Sequence, residues 1–313
     1  MTREQWLNDR SQGIGASESP ILFRQGYANT SVYKLWAQKL GLIERDDLDD
    51  VESVRWGQRM EPVIIQALRE DAGLDVQPAL QHEFLRSTER PHMGCTLDAR
   101  AFNDSRETPG VVQIKNVGSY FASEWADQPP LRVICQVQHE MYVTGYEWGI
   151  AAGLVGGNRL KWHPFERHEA FIQTLCKLCD EFWRCVETKT PPEIDGSEAT
   201  AVAIRRLHPN DNGKAIALHD DEFQNIDDQL ADLSKQIKEL TAKRDEIENR
   251  IKARMGDCTF AGFQSGKWAS WRTENGGGYE VKPFTKRVFR VHKRKPDDAP
   301  AEIIESEVHQ PQE

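Results

Sequence analysis

The spacing of apolar residues divides this 313-residue chain into an N-terminal α/β core, a connection, a long helix and a strand-rich C-terminal segment. In the core, residues 1–190, VESVRWGQRMEPVIIQALRED places Val54, Val63, Ile64, Ala67 and Leu68 at helical intervals and predicts an amphipathic helix with these side chains inward. Glu61 falls among them rather than on the opposite face, and a carboxylate there needs a cation or a metal as partner. His82–Phe84 and Gly94–Ala99 read as strands, with Asp98 at a strand end. GVVQIKN (110–116) reads as a buried strand whose two-residue alternation puts Gln113 and Lys115 on one face. Further on, Phe171, Ile172, Leu175, Cys176, Cys179, Phe182, Trp183 and Val186 form one helical face.

Residues 191–221 carry the Pro, Gly and Asp signals of a connection. From 222 to 255, Phe223, Ile226, Leu230, Leu233, Ile237, Leu240, Ile247 and Ile251 make a heptad seam interrupted at Arg244. Such a helix is about 50 Å long, and serves either as a brace within the chain or as a coiled-coil contact. After Gly256 the texture changes to short strands, aromatics and glycine turns through residue 295, and residues 296–313 are acidic and read as disordered.

Composition adds exclusions. An apolar fraction of 38% and a charged fraction of 29% are those of an ordinary globular protein. No apolar run approaches the roughly 20 residues of a membrane span. The opening MTREQWLNDR lacks the apolar stretch of a signal peptide, so the expected location is cytoplasmic. The six cysteines are then expected as free thiols. Cys176 and Cys179 have the gap of a metal or redox pair, yet their helical face reads as packing, and no second close pair completes a cluster site. A net charge of −10 argues against a general nucleic-acid coat, but Lys267 to Lys295 contains nine basic residues against Glu274 and Glu280.

Asp98, then Gln113 and Lys115, then Gln136 on a following helix form an ordered series. Metal-assisted phosphodiester hydrolysis wants hard oxygen ligands and a nearby cation to orient water or to stabilise charge on the phosphate. Glutamine at 113 keeps a neutral oxygen where a carboxylate would serve better. His92 stands close enough in sequence to reach such a metal, although a strand-end histidine is the plainer reading; Cys95 beside it reads as inert packing.

DRSQGIGASE (9–18), WGQRMEP (56–62), HMGCTLDA (92–99), VVQIKN (111–116) and CQVQHEMYVTG (135–145) together resemble the PD-(D/E)xK nuclease superfamily. Within it they are similar to the phage lambda exonuclease and YqaJ-type viral recombinases. The resemblance implies an α/β, restriction-endonuclease-like core, its mixed central sheet flanked by helices, with the long helix and a small β-rich segment appended. It implies that Glu61, Asp98, Gln113 and the Ile114 carbonyl hold two Mg²⁺ ions, with Mn²⁺ substituting, that Lys115 is the catalytic lysine, and that Gln136 or its neighbour Gln138 positions water or phosphate. Arg10, Ser17 and Thr96 match the cradle of a 5′-phosphate, a role suited to a forked guanidinium and two hydroxyls.

The implied activity is 5′→3′ resection of double-stranded DNA ends to mononucleotides for phage-type recombination, with a single-strand annealing protein as partner and a homo-oligomeric, trimeric ring as assembly. Gln113 departs from the family's Glu or Asp. It is a working neutral ligand, an engineered change, or the mark of a non-cutting end-binding protein; intact Glu61, Asp98 and Lys115 favour the first. A structure-selective endonuclease is the other enzymatic alternative. Lys267, Trp268, Trp271, Arg272, Arg287 and Arg290 are candidates for further DNA contact through phosphate pairing and base stacking.

Overall fold

A computed structural model describes residues 2–218, 223, 225–273 and 303–305. The chain divides into two compact units, one reaching His208 and the other beginning at Pro209. The first unit opens with helix α1 (Arg3–Ser11), strand β1 (Ile14–Gly15), the single turn α2 (Ser19–Leu22), α3 (Val32–Lys39) and α4 (Glu52–Ala72). Strands β2 (Asp75–Pro78), β3 (Leu85–Arg86), β4 (Met93–Cys95), β5 (Ala99–Phe102) and β6 (Gly110–Val117) follow. A 3₁₀ turn (Ser119–Trp125) and α5 (Leu131–Thr144) lead to β7 (Trp148–Val155) and β8 (Arg159–Glu166), and α6 (Glu169–Glu187) and α7 (Glu198–Leu207) close the unit.

The main sheet is mixed, in the order β2-β5-β6-β7-β8, with β6 and β7 parallel and the other pairs antiparallel. A parallel pair needs a crossover, and the segment carrying α5 supplies it. Alternation along β6 then sorts its side chains between two cores. Val112 and Ile114 pack with Ile64, Ile65 and Leu68 of α4, while Val111 and Val117 pack with Val133, Val137 and Met141 of α5. The helices therefore cover opposite faces, and Gln113 and Lys115 lie on the α5 face. Glycine is required where the strands meet bulk: a Cβ at Gly149 would come within 2.4 Å of Val111.

The predicted helix over 51–71 is α4, but its phase differs: Ile65 is buried and Val63 is exposed, so the inward stripe runs through Ile64, Ile65 and Leu68. Glu61 sits one turn before that stripe. The segment expected as one strand from Gly94 to Ala99 is two strands in two sheets, because β4 joins β1 and β3 while β5 joins β2 and β6. Neither is His82–Phe84 a strand; His82 adopts φ 59° in a turn and the strand starts at Leu85. The stretch read as a connection contains α7, whose Ala203 joins a core built by α2, α3 and α6. Cys176 and Cys179 are buried in that same core, and all six cysteines are free. Among the described residues no helix is long and apolar enough to cross a membrane.

The second unit contains β9 (Ala215–Ala217), α8 (Ile226–Met255), β10 (Phe260–Gly262), β11 (Trp268–Ser270) and β12 (Ile303–Glu305). Helix α8 is the expected long helix, and its seam residues Leu233, Ile237, Leu240 and Ile247 are exposed. β10 and β11 pair as a hairpin, and β12, within the tail expected to be disordered, pairs in parallel with β9.

Candidate active site

Asp98 occupies the bend between β4 and β5. One further step of the β5–β6 register, in which Ala99 faces Val112, sets it opposite Gln113. Its Oδ2 accepts the Ile114 backbone N–H at 2.7 Å and the side-chain amide of Gln113. Burial outweighs these donors and the Lys115 charge, and lifts the Asp98 acid above its usual range. Glu61 belongs to the same field: burial and then the Asp98 charge raise its acid to about 7, with Lys115 opposing. The sequence thus brings Glu61, Asp98, Gln113 and Lys115 together from one helix, one bend and one strand.

The two glutamines of α5 differ in their hydrogen bonding. Gln138 is fully engaged, its Nε2 donating to the Glu166 carbonyl and its Oε1 accepting the His168 N–H, each at 2.9 Å. That pins the end of β8 to the start of α6. Gln136 is buried on another side of the helix, one turn before Glu140. Glu140 is a residue that sequence reasoning missed: its side chain is 1% exposed, and its Oε2 has no hydrogen-bond partner. Burial, then the Asp98 charge, push its acid well above the usual range, with Lys115 opposing. Next to it, His139 is held neutral by burial, its pKa lowered to about 4, and its Nε2 meets the Gly94 carbonyl at 3.0 Å.

The three residues matched to a phosphate cradle are also brought together. Arg10 donates to Ser17 Oγ at 3.2 Å, and its guanidinium lies 4.6 Å from the centre of the Trp6 ring. The Trp6 indole N–H donates in turn to Thr96 Oγ1 at 2.9 Å. Trp6, which the sequence did not single out, links the guanidinium to the second hydroxyl. Beneath them lies an unforeseen charge cluster. Glu18 takes Lys39 at 2.7 Å and Arg45 at 3.3 Å, and its other contact is the Gly15 N–H at 2.8 Å. Burial favours the neutral acid at Glu18, but Lys39, Arg45 and Arg10 outweigh it and hold the carboxyl below its usual range. Burial lowers Lys39 to about 8 despite Glu18. Three cations around one carboxylate leave the pocket electropositive, as an anion site requires.

His92 and Cys95 keep their plainer readings. His92 does not approach Asp98; its Nε2 is 2.9 Å from Asp180 Oδ1 and its ring stacks on Trp183. Cys95 is buried and its thiol is pushed well up by burial, so it is inert packing. In the second unit, Trp268 and Trp271 are exposed and Arg272 lies over Phe260 at 4.9 Å; Lys267 precedes the strand. Arg287 and Arg290 lie outside the described residues.

The donor set fits a hard divalent ion in its chemistry: carboxylates beside a backbone carbonyl, with the buried Glu140 oxygen unpartnered. Among the described residues no three His, Cys, Asp or Glu side chains close around a common point. The carboxylates sense one another through charge rather than contact.

Residues 5–147 match the model of the YqaJ-like viral recombinase domain. The chain is 29% identical over 277 residues to the uncharacterized protein YqaJ of Bacillus subtilis, covering 87% of this chain and 84% of that protein. Among solved structures it is similar to an alkaline exonuclease from Laribacter hongkongensis, at 16% identity, over 59% of this chain and 93% of that one, with a TM-score of 0.48. It is also similar to a phage-related exonuclease from Haemophilus somnus, at 10% identity over 56% and 94% of the two chains, with a TM-score of 0.41.

Proposed function

We propose that the protein is a metal-dependent deoxyribonuclease that resects double-stranded DNA ends 5′→3′ for phage-type strand-annealing recombination. The observation that carries this reading is the gathering of Glu61, Asp98, Gln113 and Lys115 at a mixed five-stranded sheet, with Asp98, Gln113 and Lys115 in a stretch that matches the YqaJ-like viral recombinase domain. Glu61 and Asp98, with the Ile114 carbonyl and the Gln113 oxygen, would hold two Mg²⁺ or Mn²⁺ ions. When bound, such ions supply an activated water and stabilise the leaving 3′ oxygen.

The remaining work falls to the chain itself. Lys115 extends from the same strand face as Gln113 and places a positive charge where the scissile phosphate gains negative charge. Gln136 offers its amide to the water or to the phosphate. Arg10, Ser17 and Thr96 hold the 5′-phosphate of the strand being shortened, with Trp6 keeping the guanidinium flat. Lys267, Trp268, Trp271 and Arg272 add phosphate contacts and stacking surfaces for DNA. A single-strand annealing protein as partner and a trimeric ring as assembly belong to the same reading.

Linear duplex DNA labelled at one 5′ end, incubated with Mg²⁺ or Mn²⁺ beside closed circles, tests it. Release of the label as mononucleotide with circles spared is the expected result. Cutting of circles would replace the reading with an endonuclease. Binding of ends without cutting would make Gln113 the mark of an end-binding protein.

A further inference from the structure

Glu140 is an acid that this chemistry leaves unused. Removing a carboxylate from water without giving its oxygens partners is costly, and a helix with no function at this position would carry an apolar residue. The side chain is nonetheless buried, and Oε2 is unpartnered. Helix α5 covers the sheet face on which Gln113 and Lys115 lie, since Val133, Val137 and Met141 share a core with Val111 and Val117. The charges that act on Glu140 are those of Asp98 and Lys115, the two residues the proposed reaction depends on most.

Gln113 explains why an acid is needed there. Its side-chain N–H donates to Asp98 Oδ2. A glutamate at 113 has no such donor and would set a second anion against Asp98. A neutral residue at 113 therefore holds Asp98 in place but leaves the centre one negative charge short of what a divalent ion prefers.

We propose that Glu140, from helix α5, supplies the metal-facing carboxylate that β6 lacks, while Gln113 acts as the hydrogen-bond donor that positions Asp98. The acid has moved from strand to helix without leaving the site. This inference rests on the metal-dependent reading above and deepens it. On this reading the donor at 113 and the acid at 140 act as a pair.

The test is Mn²⁺ binding by the full chain, measured by calorimetry without DNA, together with thermal unfolding in EDTA and in Mn²⁺. Wild type is compared with Asp98→Asn, Glu140→Gln and the double variant Gln113→Glu/Glu140→Gln. Loss of one carboxylate ligand is expected to weaken Mn²⁺ in Glu140→Gln by about tenfold or more and to shrink its metal-induced rise in Tm accordingly. In EDTA that variant should unfold at or above the wild-type temperature, because an unpartnered buried acid has been removed. The double variant should recover affinity to within about threefold of wild type, since the charge count is restored.

Unchanged Mn²⁺ affinity in Glu140→Gln, or no recovery in the double variant, would overturn the proposal while leaving the nuclease reading intact. A Glu140→Gln protein that is unfolded in EDTA would overturn it too, by making the residue structural. Failure of wild type to bind Mn²⁺, or indifference to Asp98→Asn, would remove the metal-dependent reading and this inference with it.

Discussion

Two charge clusters of opposite balance stand in the N-terminal unit. Around Asp98, three buried or half-buried carboxylates (Glu61, Asp98 and Glu140) face one lysine, and all three acids are pushed toward their neutral forms, chiefly by burial. Around Glu18, three cations face one carboxylate, and the acid is held ionised. Neither cluster balances within the chain. The first is suited to a cation and the second to an anion, as the proposed metal-dependent reading with a 5′-phosphate site requires.

Breaking the acidic cluster should have the largest effect. Asp98→Asn and Lys115→Met are each expected to lower the initial digestion rate by about 10²–10³-fold or more, with folding retained by circular dichroism. An Asp98→Asn protein that digests at the wild-type rate would detach the acids from the chemistry. Breaking the cationic cluster should cost less and read out differently. Arg10→Ala removes a charge-assisted contact of about 1.5–3 kcal/mol, so the preference for 5′-phosphate over 5′-hydroxyl ends should fall by roughly 10–100-fold. Both ends should then be digested at similar rates; a variant that kept its preference would place the phosphate elsewhere.

A smaller effect separates the clusters by pH. Burial depresses Lys39 to about 8, so it is protonated below that value and gives up its charge as pH rises through it. The preference for phosphorylated ends should therefore weaken above about pH 8, by a few-fold, because the pocket loses one of its three cations. Lys39→Arg, which keeps its charge, should flatten that decline. The least disturbance to rate is expected from Gln138→Ala. It removes two part-buried hydrogen bonds to Glu166 and His168 and should lower stability by about 1–3 kcal/mol in denaturant unfolding while sparing the rate; Gln136→Ala should do the reverse.

Much of this site was legible because its parts are local. Gln113 and Lys115 share a face by the two-residue period of a strand, and Glu61 betrayed itself as an acid in an apolar stripe. The helix phase was less legible: GQRMEPVIIQAL carries adjacent valine and isoleucines, and only packing against β6 shows that Ile65 rather than Val63 turns inward. The break between β4 and β5 was hidden because Thr96, Leu97 and Asp98 look no different from strand residues; the change of sheet is a matter of partners far apart in sequence. Glu140 and Trp6 were hidden for the same reason. A carboxylate's lack of partners, and an indole's reach to Thr96, exist only once the helices are laid on the sheets.

The bend at Asp98 has one more consequence. Thr96, tied through Trp6 to the guanidinium of Arg10, and Asp98, tied to β6, are separated by two peptide steps. Two steps of chain span at most about 7 Å. In the proposed reaction, the grip on a strand end and the place where the next bond breaks would thus sit on one short stretch of chain. On that reading, the fixed chain length between the two would act as a ruler for how much DNA is removed at each turn of the reaction.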